Sequence, residues 1–319
     1  MLIYTLRRLN LLIFTLLILS LFAYWLEYRL GPGGQSLWSG YLDYLRRLFS
    51  GDFGVSSQSG RPILETIMLH LPATLELCFA AVLLATVIGI PLGTIAALNQ
   101  GRWLDTGIMG FSVLGSSIPV YWLAQLLIMA FAMHFQLLPS SGQLNLLYEI
   151  KPVTGFMLID TWLMAGPQRW PAFMSAVQHL CLPALTLALL PITEVTRLVR
   201  SSMLEVLKQN YIKAAFSRGW SPLAVISRHG LRNALPPILP QLSLQFGAII
   251  TSAIVIEQVF EWPGLGHWLI NSIMSRDYVA IQASMLLISS VLVVLNIATE
   301  LLSTLLYPAK RKESYGQQG

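Results

Sequence analysis

Charge is what this sequence has least of. Asp, Glu, Lys and Arg make up 11% of the 319 residues, against 55% hydrophobic ones, and that is less than half the charged share of an average soluble domain. So little charge cannot supply a water-soluble fold with a polar surface, and the membrane class is set before any motif is read. Cysteine is nearly absent as well. Cys78 and Cys181 each lie inside an apolar run, far apart in sequence, which points to packing residues rather than a disulfide or a metal pair. Metal-ligand spacing, a phosphate-cradling glycine loop and a nucleophile elbow are also lacking. No catalysis is expected of this chain, and no cofactor bound by it.

What is present is a set of long apolar runs. They are continuous rather than alternating, so helices are expected and a barrel is not. A helix needs about 20 apolar residues to cross the hydrocarbon core, since lipid offers the backbone no hydrogen-bond partners. Runs of that kind cover about residues 9–26, 71–98, 107–133, 179–198, 236–260 and 280–307. The first follows Arg7 and Arg8 in the manner of a signal peptide. It is too long for a signal core and lacks a small-x-small cleavage site, so it is expected to be retained as a span.

The basic residues orient these spans. The N-terminus, the link after residue 98, the loop from Arg197 to Pro237 and the C-terminal tail hold roughly 13 Lys and Arg in about 66 residues. The opposite loops, 27–70, 134–178 and 261–279, hold roughly 7 in about 107. Lys and Arg concentrate in cytoplasmic loops, so both termini are expected in the cytoplasm. The net charge of +5 and pI near 9.3 are accounted for in this way, and nucleic acid is not expected as a partner. The expectation is one all-α transmembrane domain, residues 1–319, with six spans.

Several spans are interrupted. Gly89, Pro91 and Gly93 sit in the second, Ser116 to Pro119 in the third, and Pro183 with Pro191 in the fourth. Proline frees a carbonyl and kinks a helix, which suits a transport path, although Gly and Pro are also simply commoner in membrane helices. Ionisable residues in the runs are few: Glu76, Glu194, Glu257 and Glu300, with His134 at an edge. Such residues are functional candidates by default. Each carboxylate also lies near a span end, where snorkelling or a partner such as Arg197 for Glu194 explains it equally well. Pro91, Pro119, Glu76, Glu194 and Glu257 are the candidate pathway or gating residues.

The segment from Asn210 to Pro222 (NYIKAAFSRGWSP) is polar to amphipathic, with Tyr211 and Ala215 one helical turn apart. It stops at Gly219, which can take the left-handed conformation that ends a helix. Pro222, favoured in a first turn, opens a second short helix running through Arg228 and Arg232. Two short helices joined at a glycine, with small alanines on top, make a compact knob suited to another protein's groove. An ordinary solvated hairpin between two spans has the same composition.

Ala214-Ala215-x-x-x-Gly219 followed by Asn233 to Pro236 (NALP) resembles the Glu-Ala-Ala-x-x-x-Gly loop of ABC importer permeases. The resemblance implies coupling helices seated on an ATP-binding subunit, with Tyr211, Ala214, Ala215, Arg218, Gly219 and Pro222 as the coupling residues. Lys213 stands where that loop carries Glu, which leaves the Ala/Gly shape but not a salt bridge. Gly51 to Ser56 (GDFGVS), Leu71 to Leu77 (LPATLEL), Ser117 to Trp122 (SIPVYW), Leu137 to Gly142 (LLPSSG), Glu257 to Gly266 (EQVFEWPGLG) and Arg276 to Tyr278 (RDY) are similar to the dipeptide and oligopeptide branch of that family. Their order covers nearly the whole chain. Leu146 to Phe156, Pro191 to Arg197 and Pro308 to Lys312 are similar to members associated with antimicrobial-peptide uptake and, in some bacteria, putrescine export.

The resemblance implies an inner-membrane permease subunit that pairs with a homologous permease. It further implies cytoplasmic ABC ATPases that hydrolyse the ATP, a periplasmic solute-binding protein that delivers the cargo, and as that cargo a peptide, a dipeptide or a polyamine. An ATP-independent channel or ion-coupled transporter would instead carry clustered mid-membrane charges or inverted repeats, and a scaffold or receptor would carry a cytoplasmic signalling domain; neither is evident. A reporter fused after Lys312 is expected to be active only in the cytoplasm, and activity outside would invert the topology.

Overall fold

The computed structural model describes residues 2–30 and 37–306, and the C-terminal stretch expected to orient the chain, with Tyr307 and Lys312, lies outside them. The architecture is helical throughout: α1 (Leu2–Leu30), α2 (Leu37–Phe49), α3 (Ile63–Leu98), α4 (Trp103–Ser117), α5 (Val120–Leu127), α6 (Met157–Leu163), α7 (Arg169–Leu207), α8 (Asn210–Ser217), α9 (Pro222–Val225), α10 (Arg232–Ala234), α11 (Leu239–Val259), α12 (Leu265–Met274) and α13 (Tyr278–Leu306). Among the described residues, three helical stretches are long and apolar enough to cross a bilayer: Ile63–Leu98, Arg169–Leu207 and Tyr278–Leu295. A fourth is counted if the bent pair Trp103–Ser117 and Val120–His134 is taken as one. Of the six expected spans, the other two appear as the shorter apolar segments Ile13–Leu26 and Gly247–Val259.

The third expected span, 107–133, is not one helix. Its two halves are bent by 103°, and the break falls at Ile118, which is extended at φ −83, ψ 123. The physical cause is local: the ring of Pro119 clashes with a helical residue before it and pushes Ile118 out of the α region. Beyond α5 the chain continues as a π-helical turn, Ile128–His134. The second and fourth spans behave oppositely. Pro72 and Pro91 lie inside an unbroken α3, and Pro183 and Pro191 inside an unbroken α7. At about 1.5 Å per residue these two helices run for about 54 and 58 Å, well past the expected span limits into segments expected to be loops.

The chain divides into two compact units. One comprises residues 1–77, 128–183 and 253–297, the other 78–127, 184–252 and 298–319. In the first, the loop expected over 27–70 contains α2, whose Tyr41 and Tyr44 pack with Ala23 and Tyr24 of α1. A second cluster joins Ile63 and Ile67 of α3 to Ala280 and Ala283 of α13, flanked by Phe53 and Trp268.

In the second unit, α3 packs on α7 through glycine. A Cβ on Gly89 would lie 2.8 Å from Val195, and one on Gly93 would lie 2.5 Å from the Thr196 carbonyl oxygen. Gly115 of α4 meets Thr193 of α7 in the same way. Small residues four apart let helix backbones approach closely, as membrane helices commonly do. The sequence Gly-Ile-Pro-Leu-Gly is therefore a packing surface here rather than an interruption. Gly93→Val is expected to cost about 1–3 kcal/mol as overpacking, read as a lower thermal midpoint of the purified protein; an unchanged midpoint would mean that the close approach is absent.

Candidate functional site: a helical knob and a set of capped turns

The knob expected between the fourth and fifth spans is built as follows. α7 runs on to Leu207, α8 and α9 follow, and a π-helical turn, Ile226–Leu231, leads into α10. Ile212, Ala215 and Val225 form its core against Val206 and Leu207 of α7. Gly219 ends α8 with φ 81. The Gly219 N–H donates to the Phe216 carbonyl (2.9 Å) and the Trp220 N–H to that of Ala215 (3.3 Å), which is the paired closure that a left-handed residue after a helix permits. The Ser221 hydroxyl accepts from the Ala224 N–H, with Pro222 in the first turn of α9.

Two further ties fix the knob to the end of α7, and a third contact braces it internally. The Ser202 hydroxyl donates to the Ala234 carbonyl at 2.7 Å. Gly230 is buried against Met203. Trp220 is flanked by the His229 ring at 5.3 Å and by the Arg228 guanidinium at 5.8 Å. The two alanines of the motif have different surroundings, which their spacing did not reveal. Ala215 is buried in the knob's own core, whereas Ala214 is exposed with Tyr211, Arg218 and Pro222. Leu223 is the most exposed apolar residue of the knob, at 81%, so the outer face offers Tyr211, Ala214 and Leu223 rather than both alanines.

The candidate pathway residues go to separate places. Pro119 is exposed at the bend after α4, and Pro91 is exposed on α3. Glu194 is half-buried, and among the described residues no ion pair joins it to the exposed Arg197. The Glu300 side chain lies outside what is described. Glu76 and Glu257 are buried in the first unit, and each receives the first turn of a short helix. Glu76 accepts from the Met157 and Leu158 N–H groups at 3.2 and 2.8 Å and from the Gln143 amide at 2.9 Å. It thereby caps α6, whose leading N–H groups have no partner within the helix.

Glu257 does the same for α12. With no exposed surface, it accepts from the Gly266 and His267 N–H groups at 2.7 and 3.1 Å and from the Thr74 hydroxyl at 2.6 Å. Thr74 in turn accepts from the Leu265 N–H, and the Trp262 indole N–H donates to the Ala73 carbonyl at 2.9 Å. The Leu71–Leu77 and Glu257–Gly266 motifs thus meet in one network. The glycines are required by it: a Cβ on Gly264 would overlap the Glu257 carboxyl group, and one on Gly266 would strike the Ile254 backbone.

Sequence reasoning missed three other carboxylates. Asp105 receives Arg200 through Nε at 2.5 Å and Nη2 at 2.8 Å, along with the Gly101 N–H. Asp160 gathers the N–H groups of Val153, Thr154 and Gly155. Asp277 accepts from the Ser56 hydroxyl at 2.6 Å and the Ala280 N–H at 3.2 Å. The available signal was the pairing of the GDFGVS and RDY motifs, each noted separately. Among the described residues no group of three His, Cys, Asp or Glu is arranged to hold a metal.

Burial alone would push the Asp277 carboxyl up, but donation by Ser56, Ala280 and Ser57 outweighs it and holds the carboxyl below the usual carboxylate range. A group depressed on folding contributes stability above its unfolded value, about 3.9 for Asp, and that contribution is lost as pH falls through the folded value. Asp277→Asn is therefore expected to lower the thermal midpoint at pH 7, with the gap to wild type closing as the pH is taken below about 4. A gap independent of pH would assign Asp277 a purely steric role.

Comparison with known proteins places these features. Residues 89–312 match the model of the family described as binding-protein-dependent transport system inner membrane component. The peptide transport system permease protein SapB of Salmonella typhimurium is 46% identical over 318 residues, 99% of each chain. The putrescine export system permease protein SapB of Escherichia coli K12 is equally similar. The dipeptide transport system permease protein DppB of Escherichia coli K12 is 38% identical over 280 residues, 87% of this chain and 82% of the relative. Among solved structures, an inward-facing MetNI methionine ABC transporter chain is similar with a TM-score of 0.57 at 15% identity, over 76% of this chain and 96% of that one.

Proposed function

Since the chain belongs to the family of binding-protein-dependent transport system inner membrane components, we propose that it pairs with a homologous permease to form the translocation path for peptides. Membership makes it a non-catalytic permease of an ABC transporter in the inner membrane, and implies ATPase and binding-protein partners. The finer reading has six spans, at 9–26, 71–98, 107–133, 179–198, 236–260 and 280–307, with both termini cytoplasmic and the whole chain serving as one transmembrane domain. The loop around 199–235 then faces the ATPases, and the Glu76 and Glu257 turns face the periplasm.

The observation that carries this reading is the knob. It lies inside the family-matched stretch, has its own core, and turns Tyr211, Ala214 and Leu223 outward. ATP-driven closure of the ATPases would move it as one body, and transport requires that it stay docked in both states. The exposure of Lys213 fits a docking role that rests on shape rather than on a carboxylate at that position. Pro91, Pro119 and Glu194 remain pathway candidates. Glu76 and Glu257 act on the pathway by holding the turns that border it. The peptide reading of the cargo, cationic antimicrobial peptides included, is supported by the relatives named for peptide and dipeptide transport. The relative named for putrescine export supports a second reading, a polyamine cargo.

One reconstitution tests both levels. In vesicles holding the permease pair, ATPases and binding protein, a cationic peptide is expected to stimulate ATP hydrolysis and to be taken up, and putrescine to do neither. The reverse result would establish the polyamine reading. Gly219→Val should abolish the coupling with insertion intact. A β-branched residue resists φ 81 at about 1–2 kcal/mol, and no neighbour lies within 4 Å to add a clash. Unchanged ATP-dependent uptake in that variant would overturn the docking role.

A further inference from the structure

The helix α2, Leu37–Phe49, is divided lengthwise into three sectors. Gly40, Tyr41 and Tyr44 are buried toward α1, with Leu45 and Leu48 partly buried beside them. Ser39, Asp43, Arg46 and Arg47 occupy a polar sector on the far side. Between the two runs an exposed apolar stripe, Trp38 at 72%, Leu42 at 43% and Phe49 at 89%. These residues are four and seven apart and so lie within one narrow arc of the helix. Neither buried core nor water accounts for such a stripe.

The place where α2 is fastened sets its depth. Its Tyr41 and Tyr44 rings lie 5.6 and 5.7 Å from that of Tyr24, and the Ser20 and Tyr41 hydroxyl groups are 2.9 Å apart. Ser20 and Tyr24 belong to the last turns of the apolar segment Ile13–Leu26 of α1. Within one turn beyond that segment the helix carries Arg29, whose guanidinium lies 5.7 Å over Trp25. α2 is therefore tied to α1 at the level where an apolar helix gives way to charge, which in a membrane protein is the headgroup layer. Phe14, Leu17, Ile18, Leu21, Phe22 and Trp25 leave α1 itself exposed along an apolar stripe that ends at the same level.

We propose that α2 lies in the plane of one bilayer interface, with Trp38, Leu42 and Phe49 sunk into the acyl boundary and the Arg46 side of the helix facing anionic lipid headgroups. An aromatic residue at each end of the stripe, a basic residue beside it and a hydrophobic arc along it are the combination that holds helices at such an interface. A second protein is the weaker occupant. Protein interfaces deplete charge from their cores, whereas Leu42 and Phe49 of this stripe each lie within a turn of Asp43, Arg46 or Arg47. Arg46 and Asp43, paired at 3.6 Å, leave both side chains more than half exposed.

The test uses the complete transporter in lipid nanodiscs, with Cys78 and Cys181 replaced by Ala and spin labels placed singly at Leu42→Cys, Phe49→Cys and Asp43→Cys. Labels at 42 and 49 are expected to be relaxed more by oxygen than by a water-soluble nickel chelate, and the label at 43 more by the chelate. Protection of 42 and 49 from both agents would place a protein on the stripe, and preferential relaxation by the chelate would place it in water; either result overturns the proposal. A second measurement keeps the native cysteines. Brominated lipid should quench the tryptophan emission of the wild-type complex more than that of Trp38→Phe, and equal quenching would count against it.

Discussion

A carboxyl group sealed from water is tolerated only when donors fill the places water would have taken, and Glu257 meets that condition by drawing three segments onto itself. It accepts from Thr74, three turns into α3, and from the Gly266 and His267 N–H groups that open α12. Leaving a buried polar group without its partner costs about 1–3 kcal/mol, so the end of α11, the Thr74 turn of α3 and the first turn of α12 stay in register together. Glu76 repeats the device for α6. Asp160 does so for the loop before that helix, and Asp277 for the start of α13. Short helices that bury little apolar surface are thus held in the first unit by carboxylates that answer their unsatisfied N–H groups.

The second unit is held by the absence of side chains. Gly89, Gly93 and Gly115 bring α3 and α4 against α7, and the Asp105–Arg200 pair adds one charged clasp between α4 and α7. Dispersion between close backbones replaces the hydrophobic drive that lipid cannot supply. Proline has its strongest effect where the residue before it must leave the helix, at Ile118, and little at Pro91, where α3 continues unbroken.

The sequence made the helical class legible, because long apolar runs and backbone satisfaction leave no other solution. It also made the knob legible: glycine as a helix end and proline as a helix start are local signals, and the local backbone bears them out at Gly219 and Pro222. The lengths of α3 and α7 were not legible, since polar residues continue these helices past the apolar stretch and hydropathy is blind to them. The inward turn of Ala215 escaped notice because spacing alone does not say which of two neighbouring alanines faces the core. The tasks of Glu76 and Glu257 were hidden for a different reason. Their partners are backbone N–H groups 82 and 9 residues away, and a backbone donor leaves no mark on composition.

The knob is braced against the end of α7. Its core is completed by Val206 and Leu207, Met203 of α7 meets its Gly230, and Ser202 holds its last turn. A body fixed in this way would deform little when loaded, so a force applied at Tyr211 or Leu223 would pass into α7. From there the stiffest onward route is the backbone contact at Gly89 and Gly93, because close-packed atoms yield less than long side chains do. For a load arriving at the knob, the second unit would act as a lever with its fulcrum at Gly89 and Gly93.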